Sequence, residues 1–259
     1  MRRLEAGNLT SALGIGRGDL VALVGGGGKT TLMYRLTQEL FASGLRAAAA
    51  TTTKIAVPEA SDPAELLCAP EFRELVERLL VGSGRPRVLG KRVLDNGKVE
   101  GVPPEWCDRL LAEGVVEVLV VEADGAARKP LKAPEAWEPV VPEGTTVFVA
   151  VVGLSCLGHP LDEETVFRAR LASAATGAPI GAPVTTEVVT RLLESPNGLC
   201  KGRPQAAHLV AVLNQADTKN DQILGRKIAN SILKGSAHYD RVVISTLGAQ
   251  APIREVWVP

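Results

Sequence analysis

Short apolar runs alternate along this chain with stretches in which apolar residues recur at spacings of three and four. The runs at 20–24, 46–51, 115–121, 145–152, 208–213 and 241–244 read as strands, the last of them as the final strand. The run at 115–121 is so purely apolar that it suits a parallel strand covered on both faces. Four apolar sets mark helical faces: Leu32, Met33, Leu36 and Leu40; Phe72, Leu75, Val76, Leu79 and Leu80; Val188, Val189, Leu192 and Leu193; and Ile223, Leu224, Ile228, Ile232 and Leu233. Asn8 suits the N-cap of a short helix through Leu13. A helix over 162–175 is expected with Asp162 as its cap, and Glu163 and Glu164 in the first turn where the helix dipole favours them. Strands alternating with helices imply an α/β fold with a mostly parallel sheet and right-handed crossovers.

Residues 56–112 interrupt that alternation. Pro58, Pro63 and Pro70 mark irregular chain, and Asp95-Asn96-Gly97, flanked by Val93-Leu94 and Lys98-Val99, is a hairpin turn signal. With the helical face at 72–80 and a short helix carrying Trp106, Leu110 and Leu111, the segment is expected to be an inserted helix plus β-hairpin within a single domain over 1–259.

The first strand runs into Gly25, Gly26, Gly27, Gly28, Lys29, Thr30 and Thr31, and a helical pattern follows at once. Strand, glycine loop, helix is the order of a phosphate-binding loop. Glycines let backbone N–H groups close around phosphate oxygens, and the helix turns its positive end to the same anion. Lys29 would reach the terminal phosphates and the Thr30 hydroxyl would ligate Mg²⁺. The strict pattern G-x-x-x-x-G-K-[ST] asks for a glycine where Leu23 stands, so a loop beginning at Gly25 is two residues shorter than the standard form. A dinucleotide-binding loop would want a small residue at position 30 and an acid closing the next strand. Thr30 and Thr51-Thr52-Thr53 argue against it.

In a parallel sheet, ligands gather at the C-terminal strand edges. Thr52 at the second edge is a candidate Mg²⁺ ligand or γ-phosphate contact, and equally an ordinary strand cap. Glu122 and Asp124 at the third are candidates for holding Mg²⁺ or orienting a nucleophile, which with Lys29 makes the candidate catalytic set. Arg128, Lys129 and Lys132 follow, as anion-binding residues or as solvated loop charges. Asn214-x-x-Asp217 is similar to the guanine-reading element of GTPases, with Gln215 where a lysine is usual. A carboxylate there accepts both hydrogen bonds of the guanine N1–H and N2–H₂ edge, a pair adenine lacks. Ser245 lies where a further contact to the base is expected.

Composition narrows the partners. Twenty-nine basic and 29 acidic residues leave no net charge, and aromatics make up 3%, so nucleic acid is not an expected ligand. Four cysteines in a chain of 259 residues do not form a disulfide framework. No apolar stretch approaches the ~20 residues a membrane span needs, and no signal peptide is read behind Arg2 and Arg3. A soluble, cytoplasmic protein is expected. Its oligomeric state is not legible.

Taken together, Val24-Gly-Gly-Gly-Gly-Lys-Thr-Thr31, Thr51-Thr-Thr-Lys54, Val121-Glu-Ala-Asp-Gly-Ala126, Lys129-Pro-Leu-Lys-Ala-Pro134, Gly153-Leu154 with Leu157-Gly158-x-Pro160-Leu161, and Leu213-Asn-Gln-Ala-Asp217 resemble the YqeC family. The resemblance covers nearly the whole chain. It implies a P-loop NTPase-like three-layer fold and an accessory role for selenium-dependent molybdenum hydroxylases. The implied partner is such a hydroxylase or its cofactor-insertion machinery, and no reaction is implied. Three functions follow: a Mg²⁺-dependent NTP hydrolase using GTP or ATP with GTP favoured, a kinase or transferase acting on a small anionic acceptor, and a non-catalytic nucleotide-gated module that docks a client.

Overall fold

The computed structural model describes residues 1–59, 63–82 and 84–259. Residues 60–62 and 83, within the expected insertion, lie outside the described residues. In chain order the elements are β1 (Arg2–Leu4), α1 (Leu9–Leu13), β2 (Leu20–Gly25), α2 (Lys29–Ala42), β3 (Ala47–Thr51), β4 (Lys54–Ala56), β5 (Glu65–Cys68) and α3 (Phe72–Leu80). Next come β6 (Arg87–Gly90), β7 (Arg92–Val93), β8 (Lys98–Glu100), α4 (Pro104–Ala112), β9 (Val118–Glu122), β10 (Leu131–Lys132) and β11 (Val147–Gly153). After a short 3₁₀ turn follow β12 (Val166–Phe167), α5 (Ala169–Thr176), α6 (Thr186–Glu194), β13 (His208–Asn214), α7 (Lys219–Ile232), β14 (Arg241–Ser245) and β15 (Ile253–Val258).

A 10-stranded sheet in the order β1-β15-β14-β13-β11-β2-β9-β3-β6-β5 forms the centre. From β14 to β5 neighbouring strands are parallel, and β15 runs antiparallel to both β14 and β1. Strand alternation decides which side chains meet which helices. Val21, Leu23, Val120, Val149 and Val212 lie against α1 and α2 through Leu13, Leu32, Leu36 and Leu40. The alternate positions Ala22, Val24, Phe148, Ala150 and Val152 face α6 and α7, and Ala48, Ala50, Leu119 and Val121 face α3 and α4. Helices therefore cover both faces, and the central strands are apolar at nearly every position for that reason. No helix among the described residues is long and apolar enough to cross a membrane.

Three local features refine the sequence reading. The strand at 241–244 is not the last, because β15 returns antiparallel beside it and carries β1 on its far side. Half-buried strands of this kind leave a weaker apolar signature than the central ones. The helix expected from 162 begins instead at Ala169. Asp162 Oδ1 accepts the N–H groups of Glu164 and Thr165, both at 3.0 Å, and so closes a turn. Val166–Phe167 then pairs in parallel with Leu131–Lys132. The Glu163 carboxylate takes the N–H of Ala169 at 2.8 Å at the true start of α5. Within 56–112 the hairpin around 94–97 forms, pairing β7 with β8 and β8 with β4, while β5 and β6 join the central sheet alongside β3.

Candidate functional site

The sheet order places β2 between β9 and β11, the position where successive crossovers change side. Leu23 is in register with Glu122, Gly25 with Val151, and Gly153 with Asn214. The glycine loop therefore meets the ends of three neighbouring strands, and that crowding explains its composition. A Cβ on Gly25 would sit 2.2 Å from the Val151 oxygen, and one on Gly27 2.3 Å from the Gly153 nitrogen. A Cβ on Gly28 would lie 2.4 Å from Asn214 Nδ2.

Three loop N–H groups are used inside the protein. Gly25 donates to Asp124 Oδ2 at 3.1 Å, Gly26 to the Val151 carbonyl at 2.9 Å, and Gly27 to the Lys129 carbonyl at 3.0 Å. The next four differ. Gly28 is the N-cap of α2 without a side-chain cap, and the N–H groups of Gly28, Lys29, Thr30 and Thr31 have no acceptor among the described residues. A helix start with free N–H groups and the positive end of the dipole attracts an anion. Thr30 and Thr31 are exposed, so the position is open to solvent.

Beneath this opening lies a buried chain of charges. Lys29 Nζ donates to the Gly25 carbonyl at 2.6 Å and lies 3.2 Å from Asp124 Oδ1 and 3.7 Å from Glu122 Oε1. Lys132 Nζ lies 3.0 Å from Asp124 Oδ2 and donates to Glu138 Oε2 at 2.7 Å and to the Gly125 carbonyl at 2.6 Å. Arg168, left-handed at φ +65°, clasps both oxygens of Glu138 and stands over the Phe167 ring at 4.5 Å. Burial alone would lower the Lys29 ammonium, but Asp124 and Glu122 beside it more than offset this and its pKa is raised. Burial raises Glu122, against the pull of Lys29 and the Thr30 hydroxyl. Burial also works to raise Glu138, yet the Arg168 and Lys132 hydrogen bonds win and hold it below the ordinary carboxylate range.

The expected site residues fall into distinct places around this chain. Thr30 Oγ1 donates to Glu122 Oε2 at 2.8 Å, which brings the hydroxyl and a carboxylate together at the helix start. Asp124 is 1% exposed and enclosed by the two lysines. Thr52 donates its hydroxyl proton to the Val140 carbonyl at 2.6 Å. Lys132 is neither a solvated loop charge nor open to a ligand, being fully buried with all three ammonium directions used. Lys129 donates to the Glu164 carbonyl at 2.7 Å. Arg128 is exposed, on a turn where it and Ala127 both have positive φ.

Asn214 braces the loop: its Nδ2 donates to the Gly27 carbonyl at 2.7 Å, and its Oδ1 accepts Leu247 N–H at 2.8 Å and the buried Ser245 hydroxyl at 3.3 Å. Asp217 is exposed beyond it. Gln215, left-handed at φ +61°, accepts the Ser155 hydroxyl at 2.6 Å. Cys156 is buried, and burial pushes its thiol up to about 12. Sequence reasoning missed Glu138 and Arg168. The signal available for Glu138 was a carboxylate between Trp137 and Pro139, close behind three cations.

The fold and the site define a mixed α/β protein with a strand–glycine loop–helix site at the centre of a mostly parallel sheet. The particular family follows from comparison. Residues 21–170 match the family described as YqeC protein. A relative from Escherichia coli (strain K12), named Uncharacterized protein YqeC, is 31% identical over 199 residues, 77% of this chain and 77% of its own length. The chain belongs to the YqeC family.

Proposed function

We propose that this protein binds a nucleoside triphosphate with Mg²⁺ at the start of α2 and hydrolyses it, with GTP favoured over ATP. The observation that carries this reading is the row of four free N–H groups from Gly28 to Thr31, opening beside the paired Thr30 hydroxyl and Glu122 carboxylate. The N–H row suits phosphate oxygens. Thr30 and Glu122 offer hard oxygen donors, the type Mg²⁺ takes in small number when phosphates and waters complete its shell. Among the described residues no group of three or more His, Cys, Asp or Glu could hold a metal by itself, so the donor set fits a cation that arrives with phosphate. When bound, Mg²⁺ would supply neutralisation of phosphate charge.

The chain's own residues do the rest. The helix start orients the phosphates, Glu122 keeps Thr30 in place, and exposed Asp217 accepts the guanine edge. Asn214 holds the loop and the segment after β14 in register for that base. The biological step, support for maturation of selenium-dependent molybdenum hydroxylases, rests on the family resemblance.

Titration calorimetry with GTP and ATP, each with and without Mg²⁺, tests the reading. Native protein should bind GTP more tightly than ATP and need Mg²⁺ for full affinity. Thr30→Val, which keeps the shape and loses the hydroxyl, should lose the Mg²⁺ dependence, and should melt somewhat below the native protein because Glu122 loses a hydrogen-bond donor. Binding of neither nucleotide refutes the proposal. Preference for ATP refutes its guanine assignment.

A further inference from the structure

We propose that Lys132 is a positioning residue that frees Lys29: on nucleotide binding Lys29 leaves Asp124 for a phosphate, and Lys132 stays behind as the counter-ion of Asp124. This inference rests on the nucleotide reading above. As it stands, the Lys29 side chain is 3% exposed and turned back onto the Gly25 carbonyl. An anion at the exposed N–H groups of Thr30 and Thr31 is met by this ammonium only if the side chain swings out. In most interiors that swing would strand a bare carboxylate, a strongly unfavourable outcome.

Here the two oxygens of Asp124 are held differently. Oδ1 is buried and accepts no hydrogen bond among the described residues, and the Lys29 ammonium lies 3.2 Å from it. Oδ2 accepts the Gly25 N–H and lies 3.0 Å from Lys132 Nζ. Departure of Lys29 therefore removes one ionic contact and leaves a full cation and an N–H on the other oxygen. Glu122, the second acid beside Lys29, keeps the Thr30 hydroxyl. Lys132 cannot follow Lys29 outward, because Glu138 and the Gly125 carbonyl hold it and Arg168 in turn holds Glu138. Arg168, Glu138, Lys132 and Asp124 form a fixed buttress, and Lys29 is its movable end.

The test uses the full chain labelled with ¹⁵N-lysine. Buried ammonium groups exchange slowly and give separate Nζ signals, assigned with Lys29→Arg and Lys132→Arg. Saturation with GTP and Mg²⁺ should move the Lys29 signal and leave that of Lys132 in place. Lys132→Met should weaken nucleotide binding about tenfold or more, since Lys29 is then the sole counter-ion of Asp124. The double variant Asp124→Asn/Lys132→Met, with the stranded charge removed, should return to within about threefold of native affinity. A Lys29 signal unmoved at saturation, movement of both signals, or native affinity in folded Lys132→Met overturns the inference. If Lys132→Met does not fold, the spectra of the native protein decide alone. Failure of native protein to bind either nucleotide is a different outcome, and overturns the nucleotide reading beneath.

Discussion

Gly27→Ala tests whether the loop is built by close backbone contact. Gly27 has φ +75°, and its new Cβ would meet the Gly153 nitrogen at 2.3 Å and the Gly153 Cα at 2.4 Å. Those atoms cannot give way cheaply, because Gly153 donates to the Pro130 carbonyl at 2.8 Å and pairs with Asn214 across the sheet. The left-handed conformation costs alanine about 1 kcal/mol over glycine. The overlap adds about 1–3 kcal/mol as the strand end shifts. A total of about 2–4 kcal/mol corresponds to a Tm lower by about 5–10 °C for a chain of this size. Two controls separate the contributions. Gly44 has φ +86° with nothing within 4 Å of its Cβ, so Gly44→Ala should carry the conformational cost alone. Gly125 has neither feature, and Gly125→Ala should be near neutral. Thermal and urea denaturation of the three variants gives the comparison. If Gly27→Ala melts with Gly44→Ala, the close approach to β11 is not what the glycine is for.

Leu36 on α2 is fully buried, and Leu36→Ala should cost about 2–5 kcal/mol by urea denaturation. Asp217→Ala, at an exposed position, should leave the melting temperature unchanged and erase the preference for GTP over ATP in calorimetry. Stability should fall at both ends of the pH range. Glu138 and Glu255 have pKa values below their ordinary 4.5, so their contribution is full above 4.5 and is lost as pH falls through the lowered values. Lys29 lies above its ordinary 10.5, so its contribution is full below 10.5 and is lost as pH rises through the raised value. Glu122, raised by burial, acts oppositely on the acid side and favours the fold as pH falls toward 4.5, which confines the acid loss to below that point. Urea midpoints measured from acid to alkali check the shape, and a midpoint that stays level into strong acid would contradict it.

Much of the fold was legible because burial on both faces writes itself plainly. The runs at 20–24, 115–121 and 145–152 became β2, β9 and β11, and the helical sets became α2, α3, α6 and α7. What escaped were elements whose stability comes from neighbours. Strand β15, next to the short edge strand β1, is part-exposed, and β5 and β6 are four residues each and were masked by prolines. The start of α5 was displaced because Asp162 closes a turn instead of capping a helix and Arg168, left-handed, stands at the N-cap, and local pattern shows neither. For the site, spacing brought Lys29, Thr30, Glu122 and Asp124 to one place. It did not reveal that Lys132 is buried, because a lysine ten residues past the end of β9 looks the same whether it points to solvent or back beneath the strand. Only the tertiary position of Glu138 and Arg168 distinguishes the two.

The short loop and the buried lysines are connected. With Leu23 where the standard pattern has glycine, few residues join β2 to α2, and their first three N–H groups go to Asp124, Val151 and Lys129. Those bonds tie β2 to the chain beyond β9 and to β11, and make the loop a clamp between strands. Donors for an anion then come from the first turn of α2, while the Lys29 ammonium is turned back onto the Gly25 carbonyl. A lysine fixed permanently on Asp124 would leave the anion to N–H groups alone. A lysine free in solvent, with no second cation, would leave Asp124 without a counter-ion. A second buried cation resolves the conflict, because it keeps Asp124 paired and anchored to the loop in either position of Lys29. On this view Lys132 belongs to the loop as much as the glycines do, although it lies more than a hundred residues away in sequence.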